Sequence, residues 1–184
     1  TQIQGADSLS VADLMRIREH YPQLVIVNWN GDVWERGLTT PPMLEILHCI
    51  DLQLVINASV LPIYEEQHIP AAFWPFGYEP YHTPLPRNLP VFDVLYLGNN
   101  YSEHRNELGT LLRSLPCSVG LYGSGWTLLE GNGECTYDFT MGEALYRNAK
   151  LTISDNQFPE AIGYLSNRPF QAMAAGCFVL QQYV

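Results

Sequence analysis

The chain of 184 residues carries a formal net charge of −10, and its 47% hydrophobic against 15% charged content marks a globular protein able to bury a core, not a disordered one. Nine Lys plus Arg, thinly spread, leave little from which to build a surface that tracks nucleic-acid phosphates, so nucleic acid is not expected as a partner. No run of about 18 apolar residues is present to span a membrane, and the first residues lack the basic-then-apolar pattern of a signal peptide.

In chain order, residues 8–20 place Leu9, Val11, Leu14, Met15 and Ile17 near the helical period, with Ser8 or Ser10 as the cap and Tyr21-Pro22 as the stop. Leu24 to Val27 is a short apolar run predicted as a strand, and Asn28-Trp29-Asn30-Gly31-Asp32 reads as the turn at its carboxyl end. Ligands of open α/β sheets bind at that edge, which marks Asp32, although Asn-Gly-Asp is also ordinary turn chemistry. Pro41-Pro42 starts a second helix through His48, Leu52 to Ile56 is a strand, Ala58 to Gln67 a third helix, and Ala71 to Trp74 another strand. Prolines at 75, 80, 84, 86 and 90 then exclude a helix or central strand, so a hinge over 77–90 separates a first layer at 1–76 from a second at 91–184.

The second layer repeats the rhythm without an internal repeat of fixed period. Val91 to Leu97 is a strand ending in Gly98-Asn99-Asn100, and 103–115 is helical. Ser118 to Tyr122 is a strand ending in Gly123-Ser124-Gly125-Trp126, followed by a helix over 142–149 and a strand over 151–153. After a loop over 154–163, Arg168 and Pro169 open an Ala- and Met-rich helix, Gly176 closes it, and Cys177 to Leu180 run apolar as a strand. The alternation predicts α/β architecture: two Rossmann-like, doubly wound parallel layers. Both are expected to be incomplete, the chain starting at Thr1 without Met and stopping at Val184 just after a core strand, as a piece of a longer protein would.

Three loops at strand carboxyl ends carry the candidate chemistry. Glycines at 98, 123 and 125 would let backbone N–H groups approach a ligand, but the spacing is neither G-x-G-x-x-G nor a P-loop, and plain tight turns explain them as well. The helix start at Arg168 favours an anion, and Arg105, one turn into the helix after the first loop, would join it in a bidentate clamp on a diphosphate. The histidines at 20, 48, 68, 82 and 104 form no metal motif, there is no G-x-S-x-G elbow, and no cysteine stands in a nucleophile context. Cys49, Cys117, Cys135 and Cys177 are far apart and read as reduced thiols of a cytoplasmic protein. Phe73-Trp74-Pro75-Phe76 reads as inter-domain packing.

The ordered runs L-G-N-N-Y-S-E-H-R-N-E-L, G-L-Y-G-S-G-W, L-Y-R-N-A-K-L-T-I-S and S-N-R-P-F-Q-A-M-A-A-G-C-F-V-L resemble the carboxyl-terminal domain of GT-B glycosyltransferases, closest to the group 1, spore-maturation CgeB-like branch. N-W-N-G-D, D-L-Q-L-V-I-N-A-S and I-P-A-A-F-W-P-F-G-Y-E-P resemble the later part of that family's amino-terminal domain, so nearly the whole chain is covered. The resemblance implies transfer of a sugar from a nucleotide-diphosphate sugar to an unspecified acceptor, with no cofactor beyond the donor and no metal. The acceptor would sit on the first domain, where Asp32, marked by its place at a strand's carboxyl end, is the catalytic candidate and the acid/base candidate of an epimerase reading. By position, Gly98, Asn99 and Arg105 would line the diphosphate, Gly123, Ser124, Gly125, Trp126, Tyr137 and Asp138 would lie near the base, and Asn167 and Arg168 would face phosphate. Arg168 would stabilise the departing nucleotide diphosphate.

Two positions depart from the family pattern: Gln171 stands where an acid often accepts the ribose hydroxyls, and Gly163 where a second acid often stands eight positions earlier. An amide offers one acceptor and a donor in place of a carboxylate, which weakens donor binding by about 1 kcal/mol, roughly fivefold. A non-catalytic nucleotide-sugar-binding or scaffold module and a sugar-nucleotide epimerase are the alternative readings. The partners expected are a nucleotide sugar and an acceptor, with a homo-oligomer left open.

Overall fold

The structure, a computed structural model, describes residues 3, 9–31, 40–78, 89–133, 139–156, 161 and 163–182. Asp32, Tyr137, Asp138, most of the proline-rich hinge, Cys135 and His82 lie outside these residues. The chain divides into two compact units, Thr1–Phe76 with Asn156–Leu165, and Gly77–Asp155 with Ser166–Tyr183.

The first unit is a parallel three-stranded sheet of order β1-β2-β3, built from β1 (Val27–Asn30), β2 (Leu52–Val55) and β3 (Ala71–Phe73). Helix α1 (Val11–His20) starts at Ser10, whose hydroxyl accepts from the Asp13 N–H while the Asp13 carboxylate accepts from the Ser10 N–H. Helix α2 (Pro41–Leu47) has its prolines at the first turn, where a missing N–H costs nothing. The predicted third helix is broken: Asn57 caps a 3₁₀ turn at Ala58–Val60, its side chain accepting from Ser59 N–H, and α3 (Leu61–Glu66) follows. Leu14, Met43, Leu47 and Tyr64 of the helices pack with Ile26, Val55 and Ile69 into one core.

The first strand lies three residues later than its apolar run predicts. Leu24 and Val25 are exposed, whereas Asn28 and Asn30, expected in a turn, are buried strand residues. Asn28 is tolerated there because its amide is paired on both sides: Oδ1 accepts from Ile3 N–H at 2.7 Å, and Nδ2 donates to the Gln53 side chain at 2.9 Å. Residues 156–165, read from sequence with the second layer, group with the first unit, in which Ala161 and Tyr164 pack with Ile56, Trp29 and Phe76.

The second unit holds a parallel sheet of order β5-β4-β6-β7: β4 (Phe92–Leu97), β5 (Val119–Tyr122), β6 (Ala149–Ser154) and β7 (Phe178–Gln181). Successive side chains point to opposite faces, so Val94, Tyr96 and Leu121 join Leu108 and Leu112 of α4 (Glu103–Arg113) on one side. Leu95, Leu97 and Val179 join Leu145 of α5 (Phe139–Arg147) and Ala172 of α6 (Arg168–Ala174) on the other. Helix α5 begins earlier and ends earlier than predicted, since Ala149 pairs with Phe92 as the first residue of β6. Gly176, at φ +81, closes α6 as expected, and β7 runs one residue beyond its predicted end.

The fold is therefore α/β, with two Rossmann-like layers of parallel strands and helices. In the second, the chain leaves β4 toward β5 and returns on β4's other side to β6. That reversal opens a crevice at the carboxyl ends of β4 and β6, the place where such sheets bind ligands.

Candidate functional site

The β4 loop and the β5 loop are interlocked. Gly98 N–H donates to Tyr122 C=O at 2.8 Å, Asn100 N–H to Ser124 C=O at 2.8 Å, and Ser124 N–H to Asn99 Oδ1 at 2.9 Å. Gly123, at φ +127, allows this approach: a Cβ there would stand 2.4 Å from Gly98 O, and one on Gly125 2.5 Å from Asn100 O. The close backbone approach that these glycines permit, expected toward a ligand, is here made between the two loops themselves. The Gly98 and Ser124 N–H groups are engaged by it.

Trp126 lies beneath the loops, only 2% exposed. Its Nε1 donates to Gly98 C=O at 2.7 Å, and its ring meets Tyr96 edge-on at 5.3 Å between centroids. It fastens the first loop to the core and offers no open ring face to a nucleobase.

At the end of β6, Asp155 organises the crevice. Its carboxylate is buried, with Oδ2 accepting from Arg105 Nε at 2.9 Å and Oδ1 accepting from the Tyr96 hydroxyl at 2.6 Å. Arg105 is itself buried, and its Nη1 donates to Asn99 C=O at 2.8 Å. Arg168 stands differently: it is 28% exposed, its Nη1 is 3.9 Å from Asp155 Oδ1, beyond hydrogen-bond reach, and its side chain makes no hydrogen bond among the described residues. Among the described residues two guanidinium groups face this one carboxylate, so one positive charge is left over, and Arg168 is the more distant and more exposed of the two.

Gly98 makes room for that guanidinium, because a Cβ at 98 would lie 3.0 Å from Arg168 Nη1 and 3.3 Å from the Tyr96 hydroxyl. Burial in the company of Asp155 pushes the Tyr96 phenol well above its ordinary range, so it stays protonated and acts as a hydrogen-bond donor. Beside the cluster, His104 and Leu108 of α4, Ile153, Asp155, Leu180 and Gln181 are among the residues lining an open, mostly apolar groove of about 280 Å³.

The structure therefore brings together Gly98, Asn99, Arg105 and Arg168, as well as the glycine loop at 123–125. Asn167 occupies the cap position of α6 in helical geometry without a side-chain capping bond, and its C=O accepts from Gln171 N–H at 3.1 Å. Gly163, at φ +78, belongs to the first unit. Asp155 and Tyr96 are the residues that sequence reading does not single out. The signal for Asp155 is an acid placed directly after a core strand, the same signal that marks Asp32. Tyr96 carries none, being one apolar-looking member of a buried strand.

No protein-family model matches the chain, and no curated protein matches it. No helix among the described residues is long and apolar enough to cross a membrane.

Proposed function

We propose that the chain is a nucleotide-sugar-dependent glycosyltransferase whose second unit holds the donor's diphosphate at the crevice between β4 and β6. The observation that carries this reading is Arg168, a partly exposed guanidinium with charge left over after Asp155 is satisfied, at the edge where doubly wound sheets bind ligands. A diphosphate is suited to it, because a cation at this point gains interaction as negative charge accumulates on the departing group. The reading assigns that charge to Arg168 rather than to a metal. It gives Arg105 a different part from the second arm of a clamp: Arg105 anchors Asp155 and the Asn99 carbonyl, and shapes the loop under the ligand. The apolar groove at the ends of β6 and β7 is a place for the sugar or nucleoside portion.

Incubation with UDP-, GDP- and dTDP-sugars should release nucleoside diphosphate, with the rate lost in Arg168→Ala. Donor binding without hydrolysis or transfer under any acceptor condition would instead select the second reading, a non-catalytic nucleotide-sugar-binding module. That alternative is favoured by Gln171, whose neutral side chain makes no hydrogen bond among the described residues. Asp32, the catalytic candidate on the first unit, lies outside the described residues, and an unchanged rate in Asp32→Asn would remove it from the chemistry.

A further inference from the structure

Arg168 poses a physical question. A buried carboxylate in a low-dielectric site draws cations to hydrogen-bond distance, and Arg105 reaches it at 2.9 Å, yet Arg168 Nη1 stays 3.9 Å from Asp155 Oδ1. The oxygen facing it already accepts from the Tyr96 hydroxyl at 2.6 Å. Tyr96 and Arg168 both approach this oxygen beside Gly98, each within 3.3 Å of the point where a Cβ on Gly98 would stand. The other oxygen belongs to Arg105, which is tied down by its second bond to Asn99 C=O and so is not free to shift across.

From this arrangement we infer that Tyr96 is a positioning residue: by hydrogen-bonding Asp155 Oδ1 it weakens that oxygen's pull on the Arg168 guanidinium and leaves the guanidinium open to an anionic ligand. The inference rests on the anion-binding reading of the same site and adds how its charge is kept available. The Tyr96 ring is held for this by Trp126, edge-on at 5.3 Å, so the hydroxyl has little freedom to leave Asp155. Without the hydroxyl, Oδ1 would lose its hydrogen bond, and Arg168 is the cation placed to replace it. The guanidinium would then pair with Asp155 and be lost to a ligand.

The test is a double-mutant cycle on the 184-residue chain, with inorganic pyrophosphate as the probe in titration calorimetry. Tyr96→Phe should bind about tenfold more weakly than wild type, the size expected when a charge-assisted contact is withdrawn. In an Arg168→Gln background the same change should do nothing further. Wild-type affinity in a folded Tyr96→Phe variant, or an equal loss in both backgrounds, overturns the inference, because a general structural role would act without Arg168.

A second readout needs no ligand: nitrogen-15 NMR of the arginine side chains. Guanidinium rotation should be fast for Arg168 and hindered for Arg105 in wild type, and hindered for both in Tyr96→Phe. Hindered Arg168 rotation already in wild type overturns the inference even if Tyr96→Phe fails to fold. Failure of wild type to bind pyrophosphate overturns the functional reading alone. The Tyr96 inference then stands on slowed Arg168 rotation in Tyr96→Phe and falls on unchanged rotation.

Discussion

At Asp155 one carboxylate sorts two arginines into different roles. Arg105 Nε approaches to 2.9 Å with both side chains almost wholly buried, 6% and 4% exposed, so removing the cation strands a charge in the interior. Arg105→Ala is expected to lower unfolding free energy by about 3–5 kcal/mol, measured by denaturant titration. Arg168→Ala removes a partly exposed side chain that makes no hydrogen bond among the described residues, and its effect on stability should be far smaller, while on the proposed reading its effect on anion binding should be large. Equal losses of stability in the two variants would show that the arginines are not divided in this way. Arg105 was legible in the sequence as a cation near the first loop, but its partner was not. Choosing between a ligand and an internal acid required knowing that β6 lies beside β4.

At the scale of elements, two devices set the local structure. Gly109 of α4 faces the Trp126 ring, where an added Cβ would lie 2.3 Å from Cζ3. Alanine normally favours a helix interior over glycine by about 1 kcal/mol, but Trp126 is pinned by its bond to Gly98 C=O and has no room to retreat. Gly109→Ala should therefore destabilise, by about 1–2 kcal/mol in denaturant titration, whereas a gain of stability would mean that the ring gives way.

In α1 the Ser10 hydroxyl, first, and then Arg16 hold the Asp13 carboxyl well below its ordinary 3.8, at about 2. A depressed value means that Asp13 supports the fold fully above about pH 4, and that this support fades as pH falls toward 2. Carboxyl NMR should place the Asp13 midpoint near 2 in wild type and closer to 3.8 in Ser10→Ala; an unchanged midpoint in the variant would contradict the capping box.

These elements also show what could be read in advance. The capping serine, the proline starts of α2 and α6 and the glycine stop of α6 were legible because each satisfies a local backbone need. The start of β1 was not, because Asn28 is buried by a pairing with Ile3 and Gln53 that only the assembled sheet supplies. Trp126 was misread from its place in a glycine loop, since nothing in G-S-G-W reveals that the indole turns inward.

At the scale of the molecule, strand and helix alternation was enough to give α/β layers with parallel strands, because each connection is long enough to cross back over a sheet. The crevice between β4 and β6 follows from strand order. Its chemistry follows from three residues far apart in sequence, Tyr96, Asp155 and Arg168, and spacing alone does not connect them. An acidic chain of net charge −10 repels anions at long range, so the anionic donor we propose would have to be held by a local charge. Calorimetric titration of the folded chain with UDP-, GDP- and dTDP-sugars measures this claim most directly. Saturable binding of at least one of them, lost in Arg168→Ala, is the predicted result; no binding of any of the three would contradict it.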